Sequence, residues 1–338
     1  MKFEKLVISW WWVLILLCIA IYIYIYIYHS SKSVDGRIIT RNDISNVKEA
    51  KYDFLYVITR VRNENLLLRS FVKHYLSQGV DKIYLLDDAS NEPFEEAIKR
   101  NPKVVIVPSR EARERGEQMY DANRLYKELR SKVKWVLNVD VDEFVHSRRG
   151  RDWTLRRELE TTFVGADCVF VPWIMFSFVG RKMEPKTNVV NELVYRWDHD
   201  KTHVHPKGDR KNRCRYYGIE CKPVFKTESF RGMNDPHKPT EPVVDIRKRR
   251  LIYVDGAKNE QVKLEMITGN YHSIIREKDI LKAHLICNHY RFTSLEKIKE
   301  KCRGDSLIKY KNMKNCVENC VLSDYPEIKD EYLKKLLK

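Results

Sequence analysis

From Tyr52 to Phe144 the chain alternates β-branched and aromatic runs with segments of helical spacing, which restricts the fold more than any other feature. FLYVITRV (54–61) reads as a strand, and residues 64–78 carry Leu67, Phe71, Val72 and Tyr75 at helical spacing. Gly79 ends that helix, and residues 81–86 form a second strand that delivers Asp87 and Asp88 at its tip. Residues 92–100 read as a short helix, KVVIVP (103–108) as a third strand, 118–131 as a helix and WVLNVD (135–140) as a fourth strand. This β-α-β-α-β-α-β order predicts an α/β fold, a mostly parallel sheet with helices on both faces. Such sheets bind ligands beyond the carboxyl ends of their strands, where Asp87-Asp88 and Asp140-Val141-Asp142 fall.

The segment KWVLNVDVDEF (134–144) carries the sharpest chemical signal. Residues two apart in an extended chain share a face, so Asp140 and Asp142 reach toward one point. Their charges repel, and burying either without a partner is costly. A hard divalent cation, Mn²⁺ or Mg²⁺, carrying a phosphate-bearing ligand resolves that conflict. Spacing alone does not decide it. A second Asp-x-Asp, Asp198-His199-Asp200, has no apolar strand in front of it.

A hydrophobic content of 43% provides for a real core, which excludes overall disorder. The net charge of +16 suits a nucleic-acid binder, a membrane-surface protein or an enzyme acting on phosphorylated anions. No zinc-finger, bZIP or RRM signature accompanies it, so nucleic acid is not an expected partner.

Residues 6–28 contain no charge, and a helix of that length, at about 1.5 Å per residue, crosses a bilayer core of about 30 Å. Three tryptophans near one end and an Ile-Tyr repeat at the other resemble interfacial belts. A cleaved signal peptide fits less well, because the run is long and lacks a small-residue cleavage site. Its Ile-Tyr alternation is also β-prone. The expectation is a tail (1–5), a single transmembrane anchor (6–28), a stem (29–51), a catalytic domain (52–305) and a basic helical tail (306–338). Lys2 and Lys5 precede the anchor, and His29, Lys32, Arg37 and Arg41 follow it, so flanking charge does not fix orientation.

Of eight cysteines, Cys214 with Cys221 and Cys316 with Cys320 are candidate bridging pairs in an oxidising compartment. Residues 168–178 read as a strand, 192–197 as a further strand, 198–240 as loops, 280–291 as a helix, 295–303 as a charged helix, and the tail as a solvated amphipathic helix.

Several motifs in order carry a resemblance. Thr59-Arg60-Val61-Arg62-Asn63-Glu64, His74-Tyr75, Gly79 to Tyr84, Asp87-Asp88-Ala89-Ser90, the Gln118…Asn123 helix, LNVDVDEF, PWIMFSFVG (172–180) and NHYRFTSLEKIKEKCRG (288–304) resemble glycosyltransferase family 92 and its family-2-like relatives. The similarity runs over residues 52–305 and leaves 181–270 unmatched. It implies a GT-A fold, a Rossmann-like sheet that transfers a sugar from a nucleotide donor with Mn²⁺ or Mg²⁺. By position, Arg60, Asn63 and Glu64 would lie near base and ribose, Asp87 or Asp88 on the nucleoside, and Gln118 beside the nucleotide. Asp140 and Asp142 would hold the metal. Apart from the resemblance, His237 and His289 are candidates for a third ligand or a diphosphate contact, against the commoner role of a structural or surface histidine.

An inverting transfer needs a carboxylate to take the acceptor proton, and Glu143, Glu192, Asp198 and Asp235 are candidates. A zinc site at His199, His203 and His205 lacks Cys or Glu at suitable spacing. The expected activity is transfer of a hexose, with galactose implied, from a UDP-sugar to a glycan, glycoprotein or glycolipid hydroxyl by a single-pass Golgi or ER protein. Two other readings are a catalytically silent, membrane-tethered glycan-binding scaffold and a nucleotidyltransferase on a similar sheet. The latter lacks a P-loop.

Overall fold

The computed structural model describes residues 52–204, 213–214, 221–255, 258–261, 276–305 and 313–338. The apolar run 6–28 and the stem lie outside the described residues, among which no helix is long and apolar enough to cross a membrane.

Strand β1 (Asp53–Val61) is followed by helix α1 (Asn65–Ser77), β2 (Lys82–Asp87), β3 (Val104–Pro108), helix α2 (Tyr120–Leu129) and β4 (Val133–Asn138). These four strands form a parallel block in the order β4-β1-β2-β3. Period-two alternation divides their side chains between two cores. Leu55, Val57, Ile83, Leu85, Trp135 and Leu137 pack with Leu67, Leu68, Phe71 and Tyr75 of α1. Tyr56, Ile58, Tyr84, Leu86 and Val136 pack with Ala122, Leu125, Tyr126 and Leu129 of α2. The helices therefore cover both faces. Gly79 turns the chain out of α1 at φ +82°, where a Cβ would lie 2.7 Å from the Cβ of Arg156.

The second half is mixed. β5 (Glu143–His146), helix α3 (Leu155–Glu160) and β6 (Cys168–Met175) precede β7 (Cys221–Lys226), β8 (Leu251–Asp255), β9 (Lys258–Gln261) and β10 (Ile286–His289). The sheet continues as β9-β8-β6-β7-β4, with β7 antiparallel to both β4 and β6. The C-terminal half of β6 leaves the β8 pairing and takes β10 as a parallel neighbour, which pairs in turn with β5. The result is a large, curled, mostly parallel sheet with β10 and β5 as a branch from β6.

Three local expectations are corrected. Residues 221–226, read as loop, form a central strand: Pro223 lacks a ladder donor and argues against such a strand, yet flanking partners hold it opposite Phe170. Residues 280–291, read as a helix, hold only the last residue of a one-turn helix (Glu277–Ile280) and then β10, because partners on both sides give Ile286–His289 a strand ladder. Residues 192–197 supply only the two-residue strand Tyr195–Arg196.

Helix α4 (Leu295–Glu300), capped by Ser294 accepting from the Lys297 amide at 3.0 Å, runs into a π-helical turn at Lys301–Asp305. Cys302 in that turn is bonded to Cys316 of helix α5 (Met313–Leu322), so Cys316 bridges across to the turn and not to Cys320. The tail is docked. Asp330 is buried and takes Arg148 Nη2 at 2.6 Å and Arg196 Nε at 2.7 Å, while Arg196 also pairs with Glu277.

Candidate functional site

The carboxyl ends of β1, β2 and β4 open into a cavity of about 260 Å³, closed on the other side by residues 288–302. Asp140, Val141 and Asp142 form the turn between β4 and β5 that makes its floor.

Three acids meet there, each in a different setting. Asp140 is about half exposed (53%), and its Oδ2 accepts from Lys222 Nζ at 3.1 Å. Glu143 is fully buried; its Oε2 accepts from the Asp140 amide at 2.7 Å and pairs with Lys222 at 3.1 Å, while Oε1 has no partner. Asp142 is buried, with Oδ2 3.3 Å from Lys301 Nζ and Oδ1 unpartnered. His289, at the end of β10, places Nε2 3.6 Å from that Oδ1 and 3.9 Å from Glu143 Oε1.

Burial raises the Glu143 carboxyl well above the usual range despite Lys222, and pushes His289 down to about 3, so its ring is neutral at pH 7. Against desolvation, Lys222 holds Asp140 well below the usual carboxylate range.

One ligand atom from each of Asp142, Glu143 and His289 lies within 4.8 Å of the others. Two orphaned buried carboxylate oxygens and a neutral imidazole make a donor set that Mn²⁺ or Mg²⁺ accepts. The geometry thus favours Glu143 and His289 beside Asp142. Asp140 is turned to Lys222, and His237, though it lines the cavity, has Nδ1 3.1 Å from the Cys221 carbonyl oxygen.

The nucleotide-side residues separate as well. Arg60 lines the cavity with Nη1 buried and unpartnered. Asp88 lines it too, held by Arg113 through two hydrogen bonds of 3.0 and 2.7 Å. Asp87 does not; its Oδ1 accepts from the Ser90 amide and braces the turn. Asn63 adopts φ +52°, which Asn tolerates, and its Oδ1 accepts from the Asn91 amide. Glu64 sits 3.5 Å from Lys297, and burial raises its carboxyl. Gln118 borders the cavity and a smaller adjoining hollow lined by Ser109, Asn138 and Pro236.

None of the four acids expected as proton acceptors, Glu143, Glu192, Asp198 and Asp235, lines the cavity. Glu192 is taken by Thr187 and Arg181, Asp198 by Lys201 and the Asp200 amide, and Asp235 accepts from the His237 amide. Glu300 does line it, 3.3 Å from Lys297.

Lys222, Arg291, Lys301 and Glu300 were not singled out by the sequence. Lys222 sits in a segment read as loop, Arg291 at the end of one read as a helix, and Glu300 and Lys301 in the charged helix 295–303, where the 288–304 motif assigns them no role. No protein-family model matches the chain, and no curated protein matches it.

Proposed function

We propose that this chain is a membrane-anchored, metal-dependent glycosyltransferase of GT-A type, moving a hexose, galactose by preference, from a UDP-sugar to a glycan hydroxyl with inversion. The observation that carries the reading is the pair of buried, unpartnered oxygens of Asp142 and Glu143 with neutral His289 beside them, at strand ends where Asp142 and His289 line a cation-rich cavity and Glu143 lies buried behind them. These three residues would hold Mn²⁺ or Mg²⁺, which supplies Lewis-acid neutralisation of the departing diphosphate. Arg60 and Arg291 each carry a buried, unpartnered N–H, and with Lys301 they offer the diphosphate further donors. The nucleoside side is the Arg60–Asp88–Gln118 wall and its adjoining hollow. Glu300, the more exposed of the two acids on Lys297, takes the acceptor proton.

The test is a thermal-shift panel of the full chain against UDP, GDP, dTDP and CMP with and without Mn²⁺, followed by transfer assays with matching sugar donors. A Mn²⁺-dependent shift for UDP that disappears in Asp142→Asn supports the reading. Absence of nucleotide binding, or transfer of a nucleotidyl group, sinks it. One observation favours the silent scaffold: Asp140 and Asp142 already have Lys222 and Lys301 as counterions. Glycan binding unaffected by Asp142→Asn, without turnover, would select it.

A further inference from the structure

We propose that Cys302, Cys316 and Cys320 form a thiol–disulfide switch, in which the bond at Cys302 passes from Cys316 to Cys320 and resets the turn that holds Lys301 on Asp142. All three sulfurs lie within 4.8 Å of one another, although only Cys302 and Cys316 are bonded. The Cys320 side chain is buried as a thiol in a small apolar cluster with Phe178, Phe292 and Ile298. Cys302 and Cys320 both border the cavity described above. A third sulfur at that distance from a disulfide is placed for exchange, which needs only close approach of the attacking sulfur.

In the step, the Cys320 sulfur attacks the Cys302 sulfur. The Cys302–Cys320 bond forms as the Cys302–Cys316 bond breaks, and the electron pair leaves on Cys316. The proton lost by Cys320 ends on Cys316, so no external oxidant or reductant is consumed. Burial pushes the Cys320 thiol up, while Arg291 and Lys301 draw it back toward ionisation.

The consequence follows from chain connectivity. Cys302 adjoins Lys301, whose Nζ lies 3.3 Å from Asp142 Oδ2 and donates to the Arg291 carbonyl at 3.0 Å. Cys316 and Cys320 stand one turn apart on α5 with their sulfurs within 4.8 Å of that of Cys302, so exchange draws the Cys302 sulfur, and the turn it anchors, toward Cys320 by up to about 3 Å. That displacement takes Lys301 off Asp142 and leaves the carboxylate to a cation. The effect on the cation rests on the site proposed above, whereas the exchange itself does not.

The full chain, alkylated without reductant and digested, is mapped for its disulfides by mass spectrometry. Both the Cys302–Cys316 and the Cys302–Cys320 bridge are expected, with Mn²⁺ raising the share of the second. Cys320→Ser fixes the first bridge and Cys316→Ser the second, and Mn²⁺ binds the latter variant roughly fivefold more tightly, the worth of one partly exposed ion pair. Finding only Cys302–Cys316 in the wild type, no bridge in Cys316→Ser, or equal Mn²⁺ affinity in the two variants overturns the switch. Both bridges with no Mn²⁺ binding anywhere supports the exchange and overturns the cation site instead.

Discussion

Lys222 and Glu143 form an ion pair at 3.1 Å with side chains only 1% and 0% exposed. The lysine comes from an antiparallel strand wedged between β4 and β6, and the acid from the first residue of β5. Removing Lys222 leaves the buried Glu143 carboxyl, already raised by burial, without a donor and Asp140 without its counterion, at a cost of about 1–3 kcal/mol. Lys222→Met is therefore expected to destabilise the fold by that order in urea titration. Lys222→Met combined with Glu143→Gln should recover part of the loss, and a double-mutant cycle without coupling would refute the pairing.

His289→Ala and Asp142→Asn are expected to abolish stabilisation by Mn²⁺, each compared with its own metal-free Tm, which loss of a buried ring or of the Lys301 partner lowers. Wild type at a hundredfold excess over Kd should gain about 2.7 kcal/mol. Isothermal titration with MnCl₂ checks this directly, and unchanged affinity in both variants would remove these residues from the site.

Buried histidines set an acid limit. Burial lowers His74 to about 4, although its Nε2 donates to the Val145 carbonyl, and lowers His199 to about 3. The unfolded chain takes up these protons from about pH 6.5 downward while the native state does not. Stability is therefore full above that pH and falls as pH drops toward 4, by about 1.4 kcal/mol per unit for each such histidine. Urea titrations at pH 7, 6 and 5 measure the slope, and His74→Phe should make it shallower.

Asp330 works in the same direction at lower pH. Although burial opposes its ionisation, Arg148 and Arg196 depress its carboxyl, so its contribution is intact above the unfolded carboxylate value near 3.9 and is lost only below it. Asp330→Asn leaves two buried guanidinium groups short of a counterion and should cost about 3–5 kcal/mol at pH 7, read as a lowered urea midpoint.

Gly79→Ala meets both a left-handed φ and the Arg156 side chain. The expected loss exceeds about 1 kcal/mol, and a differential scan that finds no drop in Tm would contradict the turn geometry.

The sequence by itself determined the parallel block β1–β4, its two covering helices and the placement of Asp88, Asp140 and Asp142 at strand ends. Those features rest on local periodicity, since a strand buried on both faces and an amphipathic helix each write their pattern into adjacent residues. Tertiary structure decided the rest. The pairing of β7 despite Pro223, the conversion of residues 286–289 into a strand, the bond from Cys302 to Cys316, and the meeting of Asp142 and Glu143 with His289, Lys222 and Lys301 all join residues distant in the chain. None of these leaves a local period. Each depends on which surfaces the folded chain brings together, and there burial and ion pairing fix both partner and role.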